Sequence, residues 1–351
     1  MDIKTLGIDI GKNKFHLHGV NAKGKIVLRK QLTRPKLYEF MANLNPCKVG
    51  MEACGGAHHL ARMFRDMGHD VRLMAIQHVK PYTKAYKNDF NDAAGICEAV
   101  SRPYMNFVSV KTVSQQEILA LHNDRARHVE ERTALANEIR GLLLEHGITI
   151  PQGIYKIIPL VSDLLDPEAE EITPPLKSLL TDMIEDFKHK GSLIKKRDGQ
   201  LNAIAKTNHQ AQQLMTIPGI GVIIATAFVG KVGDVNVFKN GRQLAAWLGL
   251  VPQQYSTGGK IQLGPISKRG DRYLRSLFVH GARSVLCALK YKKEEDLSPP
   301  MKWLKNVADR RGHNKGVVAF ANKIARVAWA LLSNGTDYQD HYSASRKELT
   351  T

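Results

Sequence analysis

Four carboxylates in the first hundred residues, two closing apolar strands and two opening a helix, restrict the fold more than any other feature of the chain. Asp9 closes the apolar run Thr5-Leu6-Gly7-Ile8-Asp9, and Glu52 closes Lys48-Val49-Gly50-Met51-Glu52. Asp89 and Asp92, three apart at the start of a helical pattern, share one helix face. A carboxylate at the end of a buried strand is costly unless something cationic neutralises it. Divalent metal ions held between such carboxylates and nucleic-acid phosphates would do so, and would also drive phosphodiester cleavage. The first expectation is therefore nuclease-type chemistry.

The hydrophobic pattern around these acids predicts strands over residues 3–10, 14–20 and 25–32, then a helix from Pro35 to about Leu44. A strand over 47–52, a helix over 57–67 ending before Gly68, and a strand over 70–75 follow. The basic residues Lys80, Lys84 and Lys87 then lead into a helix over 89–100. This βββαβαβα order is that of an α/β ribonuclease H-like fold, in which acids on strand one, strand four and the final helix converge on one metal site. From Thr112 to His146 the chain reads as a long charged helix, with Ile118, Leu121, Leu135, Ile139 and Leu142 near a seven-residue repeat. After a loop rich in proline and acid, a second helical run starts near Leu176, weakened locally by Gly191. Together they predict an antiparallel, coiled-coil-like hairpin, either closed within the chain or pairing with a second subunit.

The formal charge of +18 calls for a polyanionic partner. It is concentrated late: residues 206–351 hold 22 Lys and Arg against 9 Asp and Glu. Cys47, Cys54, Cys97 and Cys287 show no paired spacing, which predicts reduced, mostly buried thiols in a cytoplasmic protein, with Cys54 as a small packing residue. No secretory leader is apparent, and the apolar stretch from Val317 to Leu332 contains Lys323 and Arg326, so it reads as a core-facing helix and not a membrane span. His16 and His18 share a strand face, and His58 adjoins His59, but such spacings are commoner among surface or edge-strand histidines than among metal ligands. Trp247, Trp303 and Trp329 read as core anchors.

Ile217-Pro218-Gly219-Ile220-Gly221-Val222 before an apolar helix looks like a helix-hairpin-helix element, with Gly219 and Gly221 letting backbone amides approach a phosphate. Val251-Pro252 opens a polar, glycine-rich loop running through Ser256, Thr257, Gly258, Gly259 and Lys260. Ile266-Ser267-Lys268-Arg269-Gly270-Asp271-Arg272-Tyr273-Leu274-Arg275 then opens a helix on which Lys268, Arg272, Arg275 and Arg283 share a face suited to a nucleic-acid backbone.

Taken in order, these motifs resemble the DEDD-type insertion-sequence transposases of the insertion-sequence 110 group, especially its 1111 branch, the bridge-RNA or seek-RNA guided recombinases. The resemblance runs from Gly7-Ile8-Asp9 through Met51-Glu52-Ala53, Lys87-Asn88-Asp89-Phe90-Asn91-Asp92-Ala93 and Ile217–Gly221 to Ser256–Lys260 and Ile266–Asp271. It implies a RuvC-like DEDD domain over 1–110, a helical connector over 111–210, a mainly α-helical transposase domain over 211–336 and a polar, poorly ordered tail over 337–351. It also implies that Asp9, Glu52, Asp89 and Asp92 bind Mg²⁺; we expect Asp9 and Asp92 as direct ligands, with Glu52 and Asp89 completing the shell. Ser256 is the implied nucleophile; counting from Val251-Pro252 instead gives Thr257, and the less hindered primary hydroxyl favours Ser256. Gly219, Gly221, Gly258, Gly259, Lys260, Lys268, Arg269, Arg272 and Arg275 are the implied nucleic-acid contacts. The implied partners are donor and target double-stranded DNA, a structured guide RNA and further copies of the chain in a dimer or tetramer, with no membrane. Two alternatives stay open: a metal-dependent, junction-resolvase-like nuclease using water, and a non-catalytic nucleic-acid-binding protein.

Overall fold

The computed structural model describes residues 2–83 and 88–339. Lys84, Lys87 and the tail beyond residue 339 lie outside the described residues. The chain divides into two compact units, Met1–Val113 and Ser114–Thr351.

In the first unit a six-stranded mixed sheet has the order β3-β2-β1-β4-β5-β6. Its strands are β1 (Thr5–Ile10), β2 (Lys14–Val20), β3 (Ile26–Thr33), β4 (Lys48–Glu52), β5 (Asp70–Met74) and β6 (Phe107–Val108). β1, β2 and β3 form an antiparallel meander, β4 and β5 run parallel to β1, and β6 closes the far edge antiparallel. The helices are α1 (Arg34–Ala42), α2 (Ala57–Asp66), the single turn α3 (Ile76–Val79) and α4 (Asp89–Val100). The expected element order holds; β6 and α3 are additions, too short to leave a periodic signal. Leu6, Ile8, Leu17, Met51 and Leu73 are fully buried in the sheet core. Each such side chain contributes about 1.5–3 kcal/mol by leaving water.

Two glycines bring α4 down onto this sheet. Gly7 and Gly50 are paired across β1 and β4. A Cβ on Gly7 would fall on the Ala93 carbonyl and the Cys97 amide, and one on Gly50 would meet Val100 Cβ at 2.7 Å. Their missing side chains form the trough in which α4 lies.

The second unit is mostly helical. The long helices α5 (Val113–Glu145) and α7 (Pro174–Thr207) flank α6 (Ile157–Leu164). Arg125–Asp198, Asp124–Arg197 and Glu131–Lys190 bridge α5 and α7, so the two run antiparallel. Gly191 does not interrupt α7. Next come α8 (His209–Met215), α9 (Val222–Val232), α10 (Gly241–Trp247), the hairpin β7 (Pro252–Thr257) and β8 (Lys260–Ile266), α11 (Arg272–Ala288), α12 (Pro299–Arg311) and α13 (His313–Asn334). Leu214, Phe228, Phe278 and Phe320 join in its core.

Several local expectations change. The segment after Val251 is a two-stranded antiparallel hairpin and not a loop, because Gly258 and Gly259 both take positive φ and close a tight turn. Lys268 precedes α11 instead of riding on it; Asp271 caps that helix by accepting from the Leu274 amide. Cys54 and Cys287 are exposed, unlike buried Cys47 and Cys97. Trp247 and Trp303 remain more than one-third exposed, whereas Trp329 donates its indole N–H to the Val235 and Phe238 carbonyls. α13 is long and apolar enough to cross a membrane by length and composition. Val317, Phe320, Ile324 and Ala328 nevertheless pack into the unit's core, as the sequence predicts.

Candidate functional site

The acidic residues meet at one end of the first unit's sheet. Asp9 lies near the end of β1, directly opposite His16 on β2. Across an antiparallel pair, opposite residues share a face. The first turn of α4 brings Asp89 and Asp92 to the same place, after Asn88 caps the helix by accepting from the Phe90 amide. Negative charge is favoured at a helix N-terminus by the unsatisfied amides there. His16 Nδ1 lies 3.8 Å from Asp9 Oδ2 and 3.6 Å from Asp89 Oδ2, longer than a good hydrogen bond. The ring of Phe90 meets His16 edge-on at 4.8 Å, and the Arg29 guanidinium lies 4.6 Å from the centre of that ring.

Burial raises the Asp9 carboxyl above the ordinary value, and the charges of Asp92 and Asp89 push it further, with His16 acting in opposition. Glu52, at the end of β4, is raised by burial and then by Asp9 and Asp92. Among the described residues no Lys or Arg forms an ion pair with Asp9, Glu52 or Asp92. Asp9 and Glu52 are thus partly desolvated and repelled by their acidic neighbours, and the cluster offers only hard oxygen donors, which suits a small divalent cation. Among the described residues no group of three or more His, Cys, Asp or Glu side chains stands close enough together to hold a metal ion. The four acids converge without forming a cage.

His16 is an interior histidine, 7% exposed, and the surface assignment expected from sequence is corrected. The short Gly11-Lys12-Asn13 connection carries the signal that could have found it, because it folds His16 back opposite Asp9. His58 is not a ligand either: its Nδ1 accepts from the Lys111 amide, and burial beside Lys111 and Arg62 pushes it down to about 4.

In the second unit, Ser256 sits exposed on β7, with its Oγ accepting from Gln254 Nε2 at 2.8 Å. It pairs opposite Ile261, and Gln254 opposite Leu263; Thr257 pairs with Lys260. Since side chains alternate along a strand, Ser256 and Thr257 point to opposite faces. Ser256 shares its face with Ile261 and Leu263, which are 72% and 63% exposed.

The basic turn after β8 is held tightly. Lys268 has φ +52, uncommon for a residue with a side chain, and its amide donates to the Gly249 carbonyl. Any Cβ on Gly270 would strike the Trp247 carbonyl, so the turn can form only with glycine there. Arg275 does not project freely, since its guanidinium donates to the Leu248 carbonyl and braces this turn. Lys260, Lys268, Arg269 and Arg272 are exposed. Gly219 has φ +89 and abuts Gly281 of α11 backbone to backbone, a packing partner that the sequence reading did not identify. Gly221 lies exposed at the N-cap of α9, with open space where a Cβ would be.

Residues 6–148 match a DEDD transposase family model of the IS110 type, and residues 211–296 match the model described as "Transposase IS116/IS110/IS902 family". A "Probable family 20 transposase" of Pseudomonas aeruginosa is 44% identical over 97% of this chain and 99% of its own length. The "Transposase for insertion sequence element IS1111A" of Coxiella burnetii is 43% identical, covering 96% of this chain and 92% of its own. The "Transposase for insertion sequence element IS1328" of Yersinia enterocolitica is 41% identical over 95% and 98%.

Proposed function

The chain belongs to the IS116/IS110/IS902 family of DEDD transposases, and from that premise we propose that it cleaves and exchanges DNA strands with a serine nucleophile, four metal-holding carboxylates and a guide RNA. The strand order of the first unit supports reading it as ribonuclease H-like, of the RuvC kind. Asp9, Glu52, Asp89 and Asp92 would hold the divalent ion, with Mg²⁺ favoured by an all-oxygen donor set. When bound, such an ion polarises the phosphoryl oxygen and eases ionisation of a hydroxyl. His16, opposite Asp9 across β1 and β2, would offset part of the repulsion on that carboxylate.

Ser256 Oγ, its proton passing to water, attacks the scissile phosphorus: the O–P bond to serine forms, the bond to the 3′ oxygen breaks, and that oxygen leaves as a hydroxyl after taking up a proton from water. The 3′ hydroxyl then gives up its proton and attacks the phosphoserine phosphorus of the partner strand: the new O–P bond restores a diester, the bond to serine breaks, and the serine oxygen leaves as a hydroxyl after taking up a proton. Gln254 holds the Ser256 oxygen outward without removing its proton, so activation must come from elsewhere. Lys260, Lys268, Arg269 and Arg272 would hold phosphates, and Gly221 would present the free amides of α9. Arg275 and Gly219 would support those contacts by bracing the turn and the helix crossing. The α5–α7 hairpin would supply the contact between copies in a dimer or tetramer. Choice of sequence in donor and target DNA would fall to RNA pairing, a reading supported by family resemblance and by the late-chain positive charge.

The observation that carries this reading is the convergence of four carboxylates where β1 and β4 end and α4 begins, with the half-buried Asp9 and Glu52 unpaired with Lys or Arg among the described residues. The test is Ser256→Ala beside Thr257→Ala in a strand-transfer assay with denaturing gels. Ser256→Ala should abolish both transfer and the covalent protein–DNA species, and Thr257→Ala should retain both. Full activity in Ser256→Ala, with no covalent species in the parent protein, would instead favour hydrolysis by water.

A further inference from the structure

The helical unit holds a groove of about 1250 Å³ between α13, the start of α10 and the base of the Ser256 hairpin. That exceeds the roughly 300–1,000 Å³ of an ordinary small-molecule pocket, and suits a stretch of polymer. Val318 and Val327 of α13 and Pro265 of β8 contribute apolar wall. Arg242, Lys315, Lys323 and Arg326 contribute four cations, and among the described residues no Asp or Glu lines the groove. Among the described residues none of these four is paired with a carboxylate. Close packing brings the backbones of α10 and α13 together: a Cβ on Gly241, the first residue of α10, would lie 2.9 Å from the Arg326 carbonyl, so Arg242 follows directly on this contact. Trp303 is 37% exposed at the groove, with Lys323 Nζ 4.4 Å from the centre of its ring.

Cations without counter-charges, apolar wall and an accessible indole make a combination that a duplex does not use. A duplex shows phosphates but keeps its base faces stacked inside, whereas an unpaired strand offers both. We propose that this groove binds an unpaired stretch of nucleic acid, its phosphates on Arg242, Lys315 and Arg326 and a base against Trp303, with Lys323 moving from the ring to a phosphate. Pro252 and Pro265 line it and also belong to the hairpin that carries Ser256, so the groove adjoins the base of that hairpin.

This inference rests on reading the protein as one that opens and exchanges strands. Its test reads binding alone, so the full-length Ser256→Ala protein can be used and the two readings fail separately. Short labelled unpaired DNA, RNA of the same sequence and the matching DNA duplex are titrated into parent, Lys315→Glu/Arg326→Glu and Lys292→Glu proteins. The double variant should bind unpaired strands on the order of tenfold more weakly, comparable to the loss of one base-stacking contact. Its salt slope should fall by about 0.7 for each phosphate contact removed. Duplex binding should change far less, and Lys292→Glu, which alters a charge outside the groove, should change neither. Loss of unpaired DNA alone would assign the groove to a cleaved strand; loss of RNA alone would assign it to a guide. If the double variant does not fold, Trp303→Phe decides: it should remove most of the tryptophan quenching caused by unpaired strands. Undiminished quenching in Trp303→Phe, unchanged binding in a folded double variant, or equal loss of duplex and unpaired strands overturns the proposal.

Discussion

At the scale of single residues, the chemistry depends on side chains held where water would normally be preferred. His122 is fully buried on α5, with its two ring nitrogens meeting Tyr273 Oη at 3.1 Å and Thr226 Oγ1 at 2.9 Å. Burial, with Arg125 and Lys231 nearby, pushes it down to about 4. Above pH 6.5 it is neutral whether folded or unfolded. Between 6.5 and 4 only the unfolded chain takes up its proton, so stability falls as pH falls, by on the order of 3 kcal/mol in full. Melting temperature should therefore drop across that window, and His122→Gln should flatten the drop. In the carboxylate cluster, Asp9→Asn should raise the melting temperature in metal-free buffer by relieving repulsion, while abolishing strand transfer. An unchanged or lower melting temperature would argue against an uncompensated cluster. The acids were legible in the sequence because Asp9 and Glu52 close apolar runs and Asp89 and Asp92 open a helical pattern three residues apart. His16 was not, since its importance comes from pairing across strands and not from local spacing.

At the scale of elements, most of the first unit was readable from period and punctuation: β2 and α4 fall where alternation and the Asn88-Asp89 start place them. The hairpin β7–β8 was hidden because its outward residues, Tyr255, Ile261 and Leu263, are apolar and exposed, so the pattern of a half-buried strand is missing. Two glycine sites separate local from global effects. Gly7→Ala should cost about 1–3 kcal/mol by forcing α4 out of its trough. Urea unfolding would measure this, and strand transfer should fall with it. Gly259→Val puts a branched side chain at φ +76 and should strain the turn by about 1–2 kcal/mol. Because the hairpin lies outside the core, its melting temperature should match that of the parent while strand transfer drops. A matching loss of global stability would refute that division.

At the scale of the whole molecule, a net charge of +18 makes DNA affinity a steep function of salt. A plot of log affinity against log salt should be linear, with a slope of about −0.9 for each duplex phosphate neutralised. Removing divalent cations with EDTA should stop strand transfer yet leave most of this binding, since the exposed cations lie apart in sequence from the carboxylates. The late concentration of charge could be counted from the sequence. The groove around Trp303 could not, because its walls come from segments some sixty residues apart that only folding brings together.

The paired helices α5 and α7 have a further mechanical consequence. At one end Ile139, Leu143, Leu180 and Phe187 are packed together, and at the other Ile118 and Ala205 enter the core of the unit. Between these ends the side chains that cross from helix to helix include charged rungs, Asp124–Arg197, Arg125–Asp198 and Glu131–Lys190. Such a rod is clamped at its tips and laced along its middle. Rising ionic strength slackens the lacing before the clamps, so the rod can bow and recover without either tip coming undone.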